Sequence, residues 1–188
     1  MTNPEDLTLP GVQAPESQKN RRDVLSLPAP GDPERERFDR FIVRGPGERD
    51  CHFWTGSISD DGYGRFWLKR DGRQRVVRPH RYALALELGR PLEDSEMAIH
   101  EVCDNPICVR VSEALGRPHV VLGTQSQNLA GMGAKGRGGG RGQTWQWYGP
   151  DRAARAARSR ALREALRNGW DAEAVQAVLR HTGTATLF

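Results

Sequence analysis

The chain of 188 residues has three cysteines. Two of them share one stretch, residues 99–128, with two histidines and an asparagine: IHEVCDNPICVRVSEALGRPHVVLGTQSQN. The cysteines there are Cys103 and Cys108, His100 and His119 lie on either side of them, Asn128 closes the stretch, and the third cysteine, Cys51, is far upstream. Three soft thiolates and an imidazole are the donor set of a tetrahedral structural zinc site. An odd number of cysteines does not suit a disulfide framework, so metal binding is the better use of them. A fold stapled in this way needs less core, and only 37% of the residues are hydrophobic while 28% are charged.

The formal net charge of +4 and a pI of about 9.3 favour a polyanionic partner. Much of the positive charge follows the central stretch, at Lys135, Arg137, Arg141, Arg152 and Arg155, which points to nucleic-acid phosphates. No apolar run approaches the roughly 18 residues of a membrane span, and the first 20 residues lack an apolar signal region. A cytoplasmic protein that does not engage a membrane is expected.

Residues 1–32 are polar and proline-containing and read as a disordered arm. Residues 33–43, PERERFDRFIV, predict a helix that starts after Asp32 with proline in its first position. Residues 63–69 and 74–77 predict a hairpin turning at Asp71-Gly72. A helix from Pro79 stopped by Gly89, strands over 97–102 and 119–122, and a helix capped by Thr124 follow. The last three place His100 near a strand end and Asn128 in the first turns of a helix, a ββα arrangement. His80, at a helix start, reads as structural.

Residues 142–188 read as a basic helical extension. Trp145, Trp147 and Tyr148 open it as packing anchors. A helix over 150–167 then sets Arg152, Arg155, Arg163 and Arg167 near one face and Ala154, Ala157, Ala161 and Ala165 near another, with Leu162 and Leu166 extending the apolar face. After Asn168-Gly169, Asp171 caps a second helix. The pair resembles a fragment of a helix-turn-helix, and an accessory role in holding DNA is expected of it.

The order C-x-F-W-T-G, G-Y-G-R-F, H-R, I-H-x2-C-D-N-P-x-C-V and H-V-x-L-G-T-x3-N resembles the HNH endonucleases of phages and prophages. These belong to the His-Me finger superfamily and are similar to the His-Cys box homing endonucleases. The resemblance covers residues 51–141 and implies an α+β fold, a zinc-stabilised ββα-metal core spanning 33–141. It implies His100 as general base, Cys51, Cys103, Cys108 and His119 as structural zinc ligands, and Asn128 as ligand of a catalytic metal. It also implies that Arg65 stabilises the cleaved phosphodiester. The chain departs from the family pattern in the link VRVSEALGRP before His119, which is longer and lacks the middle asparagine.

Chemistry supports the same roles. Phosphodiester hydrolysis needs a base, a cation to take up developing charge and a fixed positive side chain. An imidazole with an ordinary pKa of about 6.5 is largely neutral near pH 7 and can accept a proton. One neutral oxygen from Asn128 suits a largely hydrated Mg2+ or Mn2+. Arg81 joins the basic residues after the central stretch as a candidate DNA contact.

The expectation is a metal-dependent endonuclease acting on DNA, double-stranded by preference, and leaving 3′-hydroxyl and 5′-phosphate ends. A zinc-stabilised DNA-binding protein without catalysis is the alternative. Nicking against double-strand cutting, and monomer against homodimer, stay open.

Overall fold

The computed structural model describes residues 26–70, 72–112, 114, 116–134 and 152–181. Helix α1 (Pro33–Arg40) begins as its sequence requires: Asp32 accepts the Glu34 N–H at 2.8 Å and Pro33 sits in the first turn. Acidic Glu34 and Glu36 lie at its start and Arg37 and Arg40 at its end, complementing the helix dipole. It ends sooner than expected. Ile42 and Val43 leave the helix for strand β1 (Ile42–Arg44), which pairs antiparallel with β2 (His52–Trp54), Ile42 opposite Trp54 and Val43 opposite Phe53. The β-branched side chains gain aromatic cross-strand partners there, which outweighs their helical spacing. Of the 1–32 arm, residues 26–32 are described. Pro28 is buried, and the Ser26 carbonyl accepts from Arg70 at 3.1 Å.

Strand β3 (Ser57–Ile58) pairs with β4 (Gly64–Arg70), which pairs with β5 (Arg73–Val77) across the expected turn, with Gly72 at φ +74°. Strand β4 alternates: Gly64, Phe66 and Leu68 point inward, and Arg65, Trp67 and Lys69 point out. Helix α2 (Pro79–Leu88) stops at Gly89, whose φ of +66° a residue with a Cβ resists. Its first two turns are mostly buried.

Strands β6 (Glu96–His100) and β7 (Val120–Thr124) form a separate antiparallel pair, His100 opposite Val120. Helix α3 (Gln125–Ala134) follows without a break and packs on both strands. Its start is a reciprocal cap. The Gln127 N–H donates to Thr124 Oγ1 at 3.2 Å while Gln127 Oε1 accepts the Thr124 N–H at 2.8 Å.

The connection between β6 and β7 runs beside β2. The Trp54 N–H donates to the Ile107 carbonyl and the Val109 N–H to the His52 carbonyl, each at 2.8 Å. The long link before His119 closes on one atom, for the Arg110 carbonyl accepts from both His119 and Val120, at 3.0 and 2.9 Å.

Helices α4 (Arg152–Ala165) and α5 (Ala172–His181) form the hairpin expected at the C-terminus, with Asp171 accepting the Ala174 N–H at 2.9 Å. Its buried stripe is Ala156, Ser159, Leu162 and Leu166, whereas Ala154, Ala157 and Ala161 are exposed. The two leucines set the phase of this alanine-rich helix, because they alone bring large apolar area. The hairpin is also no separate body. Leu162, Leu166 and Val175 belong to the same core as Phe38, Phe53, Trp54, Phe66 and Tyr82. Trp170 stacks on Phe53 at 6.0 Å. At the centre Phe38 meets Trp54, Phe66 and Tyr82 at 5.4, 5.1 and 4.7 Å between ring centroids.

The chain is thus a mixed α+β protein built on small sheets. Among the described residues no helix is long and apolar enough to cross a membrane.

Candidate metal centre and active site

Cys51 lies just before β2, and the segment 107–109 runs along that strand, with Cys108 bridged to Phe53. That pairing brings the distant Cys51 to Cys108. His119 is carried to the same point by the closure on Arg110. The donor atoms of Cys51, Cys103, Cys108 and His119 all lie within 4.8 Å of one another. His119 Nδ1 is 3.4 Å from Cys51 Sγ and 3.6 Å from Cys108 Sγ. A tetrahedral zinc with ordinary bond lengths separates sulfur and nitrogen ligands by about 3.6 Å, so the four residues fit the ion. Cys108 and His119 are buried, and Cys51 and Cys103 are half-buried.

Among the three cysteines, Cys103 receives the hydrogen bonds that a thiolate needs. Cys103 is pulled down to about 2 by the thiols of Cys108 and Cys51 that donate to it, helped by the Asn105 N–H. Cys51 is pushed up because it donates to Cys103 and Cys108, and Cys108 chiefly because it is buried. A divalent cation among the donors reverses those two rises, since it stabilises every thiolate.

Arg110, which the sequence did not single out, holds this centre from behind. Its guanidinium is buried and donates to the carbonyls of Asp50, at 2.6 Å, and Gly47, at 3.2 Å. That fixes the loop leading into Cys51. The residue lies inside the long link, where it looks like ordinary surface charge.

His100 ends β6 beside the metal centre. Its Nε2–H donates to the Cys108 carbonyl at 3.2 Å, so the neutral ring carries its acceptor lone pair on Nδ1. Its face is lined by two rings, His80 at 4.9 Å and Tyr63 at 6.3 Å between centroids. Burial holds His80 well below the usual imidazole range, with the charges of His100, Arg78 and Arg81 adding to the effect. His80 therefore stays neutral, and its Nδ1 has no hydrogen-bond partner. Tyr63 is pushed up by burial.

Asn128 stands half-buried in the first turns of α3, which packs on the strand that carries His100. Arg65 is exposed on the outward face of β4 and lies 3.9 Å from Asp60. Trp67 and Lys69 share that face. Arg81 ties α2 to β6 by donating to the Glu96 carbonyl at 3.1 Å.

Arg152 pairs with Asp60 at 2.6 Å, and Arg155 donates to the Asp61 carbonyl at 2.7 Å. Both have partners within the fold, which charge patterning along the chain does not reveal. Lys135, Arg137, Arg141, Trp145, Trp147 and Tyr148 lie outside the described residues.

The fold and site define a mixed α+β protein with a Cys3His cluster able to hold a metal ion such as zinc. The chain is similar to Protein 7.7 of Escherichia phage T7, 35% identical over 88 residues. That match covers 47% of this chain and 58% of the phage protein, so the chain spans less than two thirds of its relative. No family model and no solved structure matches.

Proposed function

We propose that the protein is a metal-dependent DNA endonuclease of the HNH, His-Me finger type. The observation that carries the reading is the hydrogen bond from His100 Nε2–H to the Cys108 carbonyl. It fixes the imidazole to the backbone of the metal loop, with Nδ1 as proton acceptor. An imidazole held in one tautomer at the rim of a rigid metal loop has the properties of a general base. Asn128 on the adjoining helix and the outward cations Arg65 and Lys69 support the same reading.

His100 Nδ1 takes the proton of the attacking water, and ring contacts with His80 and Tyr63 keep the imidazole from turning away. Asn128 would hold Mg2+ or Mn2+ through its side-chain oxygen, as suits a hard ion that keeps much of its water. Such an ion supplies charge stabilisation at the phosphate and the leaving oxygen. Arg65 offers a guanidinium to the scissile phosphate. The four-ligand zinc site is closed and serves structure.

Supercoiled plasmid incubated with the protein in Mg2+ tests the reading against EDTA and against His100→Ala. Cleavage that needs both Mg2+ and His100 is expected, with 3′-hydroxyl and 5′-phosphate ends. Intact plasmid in every sample, together with a mobility shift on duplex DNA, would leave a zinc-stabilised binding protein instead.

A further inference from the structure

The loop joining β3 to β4 carries Tyr63, the outer ring against His100, and it is braced from two sides. From the cap of α2, Arg78 makes a two-pronged contact with Asp61, at 3.0 and 2.5 Å, and its guanidinium lies over the Tyr63 ring, 4.8 Å from the centroid. Asp61 in turn accepts from the Ser59 hydroxyl and, at 3.1 Å, from the Tyr63 N–H. These bonds hold the Asp61 carboxyl well below the usual range, Arg78 first among the causes.

From outside comes α4. Arg155 donates its Nε–H to the Asp61 carbonyl at 2.7 Å, and its guanidinium lies 6.0 Å from the Tyr63 ring centroid. Gly62, at φ +84°, sits so close beneath it that a Cβ would fall 2.9 Å from Arg155 Cγ and 3.0 Å from its backbone carbonyl. The loop thus has no room to move toward the helix.

We propose that Arg155 is a positioning residue for His100: by clamping residues 61–63 it fixes the Tyr63 ring against the imidazole, which makes α4 a wall of the active site. The inference rests on the nuclease reading for its kinetic effect but not for its geometry. Two further features fit it. The Tyr63 and His100 rings lie within 26° of parallel. Arg152, one turn earlier, pairs with Asp60 at 2.6 Å, so two consecutive loop residues are gripped by one helix end.

The full chain is compared with Arg155→Met, Arg155→Lys and, as a charge control on the same helix, Arg160→Met, each checked for zinc content. Rates are taken on supercoiled plasmid with Mg2+ over a range of DNA concentrations, and the His100 ring signals are followed by NMR. Arg155→Met is expected to lower kcat about tenfold with little change in KM, as misplaced catalytic groups do. Arg155→Lys restores most of the rate, and Arg160→Met leaves kcat as it was. The His100 ring signals shift in Arg155→Met and return toward their original positions in Arg155→Lys.

A loss carried by KM and shared by Arg160→Met would make Arg155 a phosphate contact and overturn the proposal, as would unmoved ring signals with kcat intact. Should Arg155→Met not fold, Arg155→Gln takes its place. It keeps a donor for the carbonyl and loses the cation, and about threefold in kcat is expected. If the unaltered protein cleaves nothing, the NMR signals decide alone. Movement then upholds the clamp while the nuclease reading falls, and no movement removes both.

Discussion

Residues 99–128, with Cys51, bring together a closed metal cluster and, in the proposed mechanism, an open site built on the opposite plan. The Cys3His half draws four ligands from three separated places in the chain, closes them within 4.8 Å of one another and backs them with the buried Arg110. The proposed His100 and Asn128 half has one imidazole and one neutral oxygen on neighbouring elements. A closed site spends its ligands on shape, and an open one relies on shape made elsewhere. A bond from His100 to the Cys108 carbonyl joins the two.

The difference can be broken first at the closed half. Cys108→Ser removes a ligand that is fully buried. Structural zinc contributes on the order of 10 kcal/mol in small domains, comparable with the net stability of a fold. Loss of cooperative thermal melting is expected, and a variant that melts normally with its zinc gone would show that the ion is dispensable.

The open half should respond the other way. In the proposed mechanism His100→Ala lowers cleavage by at least about a hundredfold, while zinc content and melting temperature stay near their original values. Equal loss of zinc and cleavage would merge the two sites into one. Asn128→Ala comes next: a rate loss of about tenfold or more is expected, partly recovered by raising Mg2+. A defect indifferent to Mg2+ would take Asn128 out of the metal site.

The smallest effect concerns pH. Folded, His80 is held well below its ordinary pKa by burial first, while in the unfolded chain it binds a proton below about pH 6.5. The stability contributed by neutral His80 is therefore present above that pH and declines as pH falls toward the folded pKa. His80→Phe should flatten the fall in melting temperature between about pH 7.5 and 5.5. Some slope remains from His52, which burial and the charge of Arg110 push down to about 4. An unchanged slope would mean that His80 is protonated in the fold.

Much of this was legible along the chain. Cysteines are few, so their convergence with a histidine could be expected from donor chemistry, and the family resemblance singled out His119. The Pro79 start and Gly89 stop of α2 and the turn at Gly72 rest on backbone preferences that act locally. What escaped notice is tertiary. Ile42 and Val43 carry helical spacing but find better partners in Trp54 and Phe53. In α4 the face expected through Ala154, Ala157, Ala161 and Ala165 gave way to Ala156 and Ser159, because Leu162 and Leu166 set the phase against the core. Arg155 and Arg110 looked like surface cations because their acceptors are backbone carbonyls far away in sequence, and a carbonyl has no signature in the letters.

The closure of the long link on Arg110 has one more consequence. Because the Arg110 carbonyl accepts from both His119 and Val120, the two ends of the long link are tied at one atom. That knot sets His119, and the link touches the support of the centre once more at Gly116, where a Cβ would fall 3.1 Å from Arg110 Nη2. A spacing rule between Cys108 and His119 therefore describes the length of an excursion and says nothing of coordination.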